Sequence, residues 1–474
     1  MPRLVTLTAD TGIDLLMKLA GAVLLAMALL PATARAGAAE LVVPADGNLA
    51  AAVAAAPAGG TLVVDGGVHR GPLKLDRKIC LMGRAGAVLD GGGAGTVVRI
   101  SAAGVELRGF AIRGSGESLM AEDAGVRVDK AAGVRLAQLD LSDCLYGVFA
   151  TGCEKLQVDG CRFVGKDLPD VRRGDAVHAW GCNGARFTGN RIVRGRDVVL
   201  WYSAGTTFDD NVVSSGRYGL HYMYSDHNSF RRNRFESNQV GAVLMYGRGL
   251  EGEGNTFLRA RGVGSCGVLV KEADDIVLIG NRLVANATGL LLDGAPLSPG
   301  GQVRITGNLI ARNDVGLEVS SESKGIVFTG NSFSGNRIQV QVLGSGPAGD
   351  NVWSEDGRGN FWSDAVPYDR DGDGVSEIPY RLESTFESLA DRNPSLVFFE
   401  ASPACEALDQ AARLFPILAP EPRLVDPRPL VRPALGALAP ELVEPGRRGG
   451  LALAGLAMLA ASTAMAAGAR RALA

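Results

Sequence analysis

Gly189-Asn190-Arg191-Ile192 is the first of seven similar four-residue cassettes, each with Asn at its second position and an apolar residue at its fourth. The others are Asp210-Asn211-Val212-Val213, Arg232-Asn233-Arg234-Phe235, Gly254-Asn255-Thr256-Phe257, Gly280-Asn281-Arg282-Leu283, Gly307-Asn308-Leu309-Ile310 and Gly330-Asn331-Ser332-Phe333. Subtracting positions, successive asparagines are 21, 22, 22, 26, 27 and 23 residues apart. A nearly constant period in this range is typical of a stacked repeat.

Each cassette is followed by a second short apolar run, such as Val198-Val199-Leu200-Trp201 or Ala242-Val243-Leu244-Met245. Short runs rich in branched and aromatic residues, punctuated by Gly and Asn, indicate strands. Two or three strands in about 22 residues form one coil of a parallel β-helix. We therefore predict an all-β solenoid in which Gly and Asn occupy left-handed corners and stacked asparagines bond between coils.

The composition fits this fold and excludes one class of partner. The chain has 474 residues, 64 of them Gly, with 6% aromatic residues and a net charge of −3. No basic patch is evident, so we expect no nucleic acid partner. Residues 1–36 have the pattern of a signal peptide, with Met17-Lys18, an apolar run from Leu19 to Leu30 and a small-x-small site at Ala34-Arg35-Ala36. This pattern predicts export to the periplasm.

The chain divides into six predicted segments. After the signal peptide, an N-terminal cap covers residues 37–60, and the β-helix repeats cover 61–345. A closing block with an Asp-rich turn follows at 346–400, and an amphipathic helix with a Pro-rich linker at 401–448. An uncharged apolar run at 449–469, bracketed by arginines, predicts an anchor in the inner membrane; the alternative is a removable tail.

An acidic turn in the closing block has the spacing of a calcium loop. Asp369, Asp371 and Asp373 alternate and are followed by a glycine, and Glu377 offers a further oxygen. The twelfth position of a calcium-binding loop falls on Tyr380, where that loop has Glu. The sequence thus leaves two interpretations, a calcium site and a tight acidic turn that plugs the end of the solenoid.

Two of the seven cysteines fall in the repeat register. Residues 147–153 match 176–182 with a constant shift of 29, which places Cys153 and Cys182 on adjacent coils. Neighbouring strands lie about 5 Å apart, within reach of a disulfide. Export favours oxidation, so we predict a Cys153–Cys182 bridge.

Alignment of the second strand of successive rungs predicts which residues face outward, because side chains alternate along a strand. The predicted inward columns are Val177, Val199, Leu220 and Ala242, and Ala179, Trp201, Tyr222 and Leu244. The predicted outward columns are His178, Leu200, His221 and Val243, and Trp180, Tyr202, Met223 and Met245.

The outward columns predict a surface rich in histidine, methionine and aromatic residues. The candidate copper ligands are His178, His221, Met223, His227 and Met245. Imidazole and thioether together suit Cu(I), a soft cation. The alternative is a surface that docks a partner protein, formed by Trp180, Tyr202, Met223, Met245, Tyr224 and Tyr246.

Three motifs resemble the NosD family. They are Tyr218-Gly219-Leu220-His221-Tyr222-Met223-Tyr224-Ser225, its echo Ala242-Val243-Leu244-Met245-Tyr246, and Gly359-Asn360-Phe361-Trp362-Ser363-Asp364 with the following Asp-rich turn. The resemblance implies a right-handed β-helix shared with carbohydrate-binding proteins and sugar hydrolases. It also implies a periplasmic accessory role in maturation of nitrous oxide reductase, alongside an ABC transporter permease and ATPase. The chain has no phosphate-binding loop of its own, so ATP hydrolysis would belong to that partner.

The competing interpretation is a β-helix enzyme that binds or modifies polysaccharides, as a lyase or epimerase. Such chemistry needs clustered acid and base groups on one face. The outward columns contain only isolated carboxylates, such as Asp175 and Asp197. We therefore expect a binding protein and not an enzyme, assisting delivery of copper or sulfur to the reductase, with a copper chaperone as a further partner.

Overall fold

The computed structural model describes residues 40–344, 348, 350–383, 389, 393–399, 402–414 and 422–434. The predicted signal peptide at 1–36 and membrane anchor at 449–469 lie outside the described residues. Of a first unit, Met1–Leu41, only two residues are described, and everything below concerns the second unit, Val42–Ala474. Among the described residues, no helix is both long and apolar enough to cross a membrane.

The chain is a right-handed parallel β-solenoid of about 13 turns with about 23 residues per turn, so the predicted fold is confirmed. Each coil contributes one short strand to each of three parallel sheets, which we call sheets A, B and C. Sheet A consists of β1 Glu40–Val43, β2 Thr61–Val64, β5 Cys80–Gly83, β8 Glu106–Arg108, β11 Arg135–Ala137, β14 Gln157–Asp159, β17 Arg186–Thr188, β20 Thr207–Asp209, β23 Ser229–Arg231, β26 Arg248–Glu253, β29 Asp274–Ile279, β32 Val303–Thr306 and β35 Val327–Thr329.

Sheets B and C complete the coil. Sheet B consists of β3 Gly67–Arg70, β6 Ala87–Asp90, β9 Ala111–Arg113, β12 Asp140–Cys144, β15 Arg162–Gly165, β18 Arg191–Val193, β21 Val212–Ser214, β24 Arg234–Glu236, β27 Thr256–Leu258, β30 Arg282–Val284, β33 Leu309–Ala311, β36 Ser332–Ser334 and β38 Phe361–Trp362. Sheet C consists of β4 Leu73–Leu75, β7 Val98–Ile100, β10 Ala124–Asp129, β13 Tyr146–Thr151, β16 Val177–Trp180, β19 Asp197–Trp201, β22 Tyr218–Met223, β25 Val240–Met245, β28 Cys266–Lys271, β31 Thr288–Asp293, β34 Val315–Ser320 and β37 Ile338–Leu343.

A ladder of buried asparagines holds successive coils in register. The side-chain oxygen of Asn255 accepts from both the backbone N–H and the side-chain NH₂ of Asn233, each at 2.9 Å. Its own NH₂ donates to the Phe230 carbonyl at 2.9 Å and to the Asn281 side chain at 3.0 Å. The same pattern joins the cassette asparagines from Asn190 to Asn331 and continues to Asn360. Buried amides that are fully paired stabilise a coil; unpaired ones would cost about 1–3 kcal/mol each.

Short elements cover the ends of the stack. Helix α1, Leu49–Ala55, begins after Asn48, whose side chain accepts from the Ala51 N–H at 3.0 Å, and it buries Leu49 and Val53. The other described helices are a 3₁₀ turn at Asp170–Arg172, a 3₁₀ helix at Pro394–Phe399 and α2 at Pro403–Leu414. At the C-terminal end, Trp353 stacks on Phe328 and Trp362 on Phe333, with ring centroids 4.3 and 4.4 Å apart.

Residues from the predicted linker complete this C-terminal end. Strand β40, Leu424–Asp426, pairs antiparallel with β39, Tyr380–Leu382. Asp426 is fully buried and accepts from the Asn360 N–H at 2.7 Å, the Trp362 indole N–H at 2.9 Å and the Arg428 N–H at 3.1 Å. A carboxylate thus ends the asparagine ladder, and no sequence pattern predicted Asp426 at this position.

Candidate metal and docking site

The outer face of sheet C carries the candidate residues, in a register that differs from the predicted one by one residue. Trp180 pairs with Trp201, Trp201 with Met223, and Met223 with Met245. Strand partners Val177 and Val198 are 21 residues apart, whereas the next partners along the stack, Val199 and His221, are 22 apart. The extra residue is accommodated by an irregularity in β22 opposite Asp197 to Val199. The predicted orientations of Val199 and Trp201 as inward and Leu200 as outward were therefore wrong. Leu200 is fully buried in the core, and Trp201 faces outward.

His221 is largely buried on this outer face, at the middle of β22. Its ring lies edge-on to Tyr218, with centroids 5.3 Å apart. Its Nε2 is buried and has no hydrogen-bond partner among the described residues. Burial lowers the pKa of His221 to about 4, so the imidazole is neutral at pH 7. A neutral ring with an unpartnered nitrogen has the form that binds a metal ion.

Two methionines lie beside His221. Met223 is two residues further along the same strand and so on the same face, and Met245 is its partner on the next coil. Both side chains are half-buried, and Met245 packs against Val240, Val243 and Cys266. The structure therefore brings His221, Met223 and Met245 onto one patch, which we call the His–Met patch.

The other two candidate histidines lie away from the His–Met patch. His178 is separated from His221 by the strand that carries Val199, or about 10 Å at two strand spacings. Its Nδ1 is 2.8 Å from the Asp175 carboxylate, and its ring stacks on Phe149 with centroids 4.7 Å apart. His227 is exposed in the corner between β22 and β23, beyond the end of sheet C.

An aromatic column runs along the corner that follows sheet C. Tyr202, Tyr224 and Tyr246 all have positive φ and stack face to face, with centroids 5.3 and 4.9 Å apart. Trp180 joins the column, 5.2 Å from Tyr202. Trp180, Tyr202 and Tyr224 are 40%, 48% and 43% exposed, which leaves their edges available to a partner. Tyr202 belongs to this corner column and not, as predicted, to the strand column of Met223.

Carboxylates near the His–Met patch are tied to other groups. Asp197 is almost fully buried and is bound by the Arg217 guanidinium and by the Tyr218 N–H at 3.1 Å. Asp175 is buried beside His178, and burial raises the pKa of its carboxyl; its Oδ1 has no partner among the described residues. The Asp175–His178 pair was missed from the sequence, although the three-residue spacing at a strand start could have indicated it.

The acidic turn brings its three aspartates together. One carboxylate oxygen from each of Asp369, Asp371 and Asp373 lies within 4.8 Å of the others. Asp369 also accepts from the Gly372 and Gly374 N–H groups, at 2.7 and 3.1 Å. Both oxygens of Glu377 accept from the Arg370 N–H at 3.1 Å. The calcium site stays a prediction.

Cys153 and Cys182 lie in register on neighbouring coils, since the preceding residues Thr151 and Trp180 are strand partners. Both are fully buried free thiols in the structure. A hydrogen bond between the two thiols lowers the pKa of Cys153 and raises the pKa of Cys182. Their oxidation to a disulfide stays a prediction.

Comparison with known proteins places the chain in a family. The family model described as "Periplasmic copper-binding protein (NosD)" matches residues 157–366. A Pseudomonas aeruginosa protein named "Probable ABC transporter binding protein NosD" is 31% identical over 378 residues, which cover 77% of this chain and 87% of the relative. The chain belongs to the NosD family. A NosD protein of the same description from Stutzerimonas stutzeri is 28% identical over 393 residues, which cover 80% of this chain and 88% of the relative.

Solved structures similar to this NosD-family chain include enzymes and an adhesin. The A-module of the Azotobacter vinelandii mannuronan C-5 epimerase AlgE6 has a TM-score of 0.48 and 17% identity, and covers 64% of this chain and 92% of its own. PfbA, a surface adhesin of Streptococcus pneumoniae, has a TM-score of 0.45 and 12% identity, with 69% and 91% covered. Likenesses at this level say nothing about activity or ligand.

Proposed function

We propose that this chain is a periplasmic Cu(I)-binding accessory protein that holds the ion at His221, Met223 and Met245. The observation that carries the proposal is the buried, unpartnered Nε2 of His221 on the same strand face as a pair of methionines from adjacent coils. The family model's description as copper-binding supports it. In this role the protein binds its cargo and catalyses no reaction.

The donor chemistry of the His–Met patch fits Cu(I) better than other biological metals. Two thioethers and a neutral imidazole are soft, uncharged ligands, which select Cu(I). Zn²⁺ sites use thiolates, imidazoles and carboxylates, and calcium needs six to eight oxygen ligands; the patch supplies neither set. We leave His178 and His227 out of the proposed ligand set, because His178 lies two coils away, bonded to Asp175, and His227 lies in an exposed corner.

The partners that we propose follow from the relatives. The two NosD relatives are named as ABC transporter binding proteins, which supports association with a transporter permease and ATPase. We extend this to maturation of nitrous oxide reductase, with copper received from a chaperone and the chain held at the inner membrane by residues 449–469. The exposed Trp180, Tyr202 and Tyr224, with the half-buried Tyr246, favour a docking role beside the His–Met patch, since aromatic residues dominate binding energy at protein interfaces.

The test is an anaerobic Cu(I) titration of the purified protein against a competing chelator. We expect one ion per chain in the wild-type protein and loss of tight binding in a His221→Ala, Met223→Leu, Met245→Leu variant. Met120→Leu is the matched control, because Met120 is 97% exposed on a distant loop. His178→Gln should bind Cu(I) as the wild type does. Equal binding by the triple variant and the wild type would contradict the site.

A second experiment separates cargo binding from docking. Tyr224→Ser and Tyr246→Ser together should reduce co-purification with the transporter and leave the Cu(I) titration unchanged. A wild-type protein that binds no Cu(I) but still co-purifies through these tyrosines would make the chain a docking scaffold, with sulfur as the remaining candidate cargo.

A further inference from the structure

We propose that Trp201 completes the Cu(I) site as an aromatic wall, with its indole face against the bound ion. This inference rests on the proposed Cu(I) function and adds to it a residue that neither the family description nor the sequence patterns single out.

The strand register places Trp201 at the His–Met patch. Trp201 is the direct Cα partner of Met223, and Val199, two residues earlier on the same face, is the partner of His221. Met245 follows Met223 on the next coil. Three successive coils thus present an indole and two thioethers in one outward column, with the His221 imidazole in the adjacent column.

Contacts on the opposite side hold the indole in place. Trp180, on the preceding coil, lies 4.6 Å from the Trp201 ring between centroids, and Tyr202 lies 6.1 Å away with its ring nearly parallel. These neighbours belong to the preceding coil and to the corner, whereas the following coil supplies Met223. The indole is therefore packed by aromatic rings on one side and borders the His–Met patch on the other.

The indole N–H of Trp201 differs from that of most buried tryptophans in its hydrogen bonding. A buried tryptophan N–H generally finds an acceptor, yet the buried Nε1 of Trp201 has none among the described residues. Trp362, by contrast, donates its indole N–H to Asp426 at 2.9 Å. Trp201 and His221 thus lie on adjacent coils next to Met223 in the strand register, and the ring nitrogen of each, Nε1 and Nε2, lacks a hydrogen-bond partner among the described residues. The Trp201 indole is therefore held by ring contacts alone, and only its face can attract a cation, because an indole N–H is a hydrogen-bond donor.

The chemistry of a tryptophan wall suits an ion that must be passed on. The face of an indole attracts a cation by about 0.5–2 kcal/mol, and thioethers pack well against aromatic rings. The ring excludes water from the ion and adds no strong fourth donor, so three ligands remain the whole first coordination set. A partner protein then has fewer bonds to replace when it takes the ion.

Fluorescence tests this inference by a readout independent of reductase maturation. The chain has four tryptophans, of which Trp201 alone borders the His–Met patch by register. Titration of the full chain with Cu(I), and with Ag(I) as a redox-stable substitute, should quench emission up to one equivalent. Trp201→Leu should abolish most of this quench and weaken binding about tenfold, or 1.4 kcal/mol. Trp353→Phe, the matched control at the C-terminal end of the solenoid, should retain both the quench and the affinity.

Each remaining outcome decides a separate point. Unchanged affinity and quench in Trp201→Leu would overturn the role of Trp201 and leave the His–Met site standing. A wild-type chain that binds neither Cu(I) nor Ag(I) would overturn both proposals. Trp201→Phe covers the case in which the Leu variant fails to fold: it should lose the quench and weaken binding less than tenfold. Wild-type quenching in Trp201→Phe would assign the signal to another tryptophan and contradict the inference.

Discussion

Asp426→Ala should destabilise the solenoid through its C-terminal end. The substitution leaves three donors without their acceptor, namely the N–H groups of Asn360 and Arg428 and the indole N–H of Trp362. Each unpaired buried donor costs about 1–3 kcal/mol. Water reaches the end of a solenoid more readily than its middle, so we take the lower half of this range for each donor and expect a loss of roughly 3–6 kcal/mol.

Asp426→Asn is the matched control. The Asn360 and Trp362 donors share one carboxylate oxygen, Oδ2, whereas the Arg428 N–H uses the other. An Asn that places its carbonyl at the Oδ2 position keeps the bonds from Asn360 and Trp362, loses the one from Arg428 and removes a buried charge. We expect its free energy of unfolding to lie within about 1 kcal/mol of the wild type.

The assay is chemical denaturation followed by tryptophan emission, to which Trp353 and Trp362 contribute directly at this end.

Burial raises the pKa of the Asp426 carboxyl above its usual value of 3.8. The folded state therefore holds the Asp426 proton more tightly than the unfolded state does. The stability that this proton contributes is complete below pH 3.8 and is lost as the pH rises through the raised folded-state pKa. Asp426→Asn should lack this component, so its stability relative to the wild type should increase as the pH rises above about 4. Stability of Asp426→Ala within about 0.5 kcal/mol of the wild type would refute the reasoning, since a lost cap costs more.

Three further predictions concern the acidic turn, the cysteines and one close backbone approach. Calcium should raise the melting temperature of the wild type but not of Asp371→Asn, and equal shifts in both would remove the site. Mass spectrometry of the exported protein, alkylated without reduction, should find Cys153 joined to Cys182; two alkylated thiols would exclude the bridge. Gly241→Ala should lower stability by about 1–3 kcal/mol, measured by thermal unfolding, because a Cβ there would lie 2.4 Å from the Gly267 carbonyl oxygen. An unchanged melting temperature would show that the neighbouring coil moves aside.

The fold was predictable because its main determinants are local and repeated. Each cassette asparagine bonds to the equivalent residue one coil away, so the period is visible without knowledge of any distant contact. A parallel ladder in the corner after sheet C was missed. There the Cys182 N–H donates to the Ser203 hydroxyl, and the Ser203 N–H to that of Ser225. Serine and cysteine vary within that ladder, which hides its period.

The C-terminal cap could not be predicted from local patterns. Asp426 is 66 residues from its partner Asn360, and it lies in a segment whose prolines indicate a linker. Only a three-dimensional structure shows that the chain returns to the solenoid and that Leu424 and Leu430 are buried there. A sequence pattern reports a repeated contact well and a contact made once poorly.

The composition of the candidate site depends on a difference of one residue in coil length. Trp180 and Trp201 are 21 residues apart, whereas Trp201 and Met223 are 22 apart, as are Met223 and Met245. The sequence alignment put the short coil one turn later, which turned Trp201 into the core and set Tyr202 against Met223. Since neighbouring residues of a strand face opposite sides, this single slip exchanges an indole wall for a buried side chain. The irregularity in β22 is therefore what allows a tryptophan, a histidine and two methionines to share one outer face.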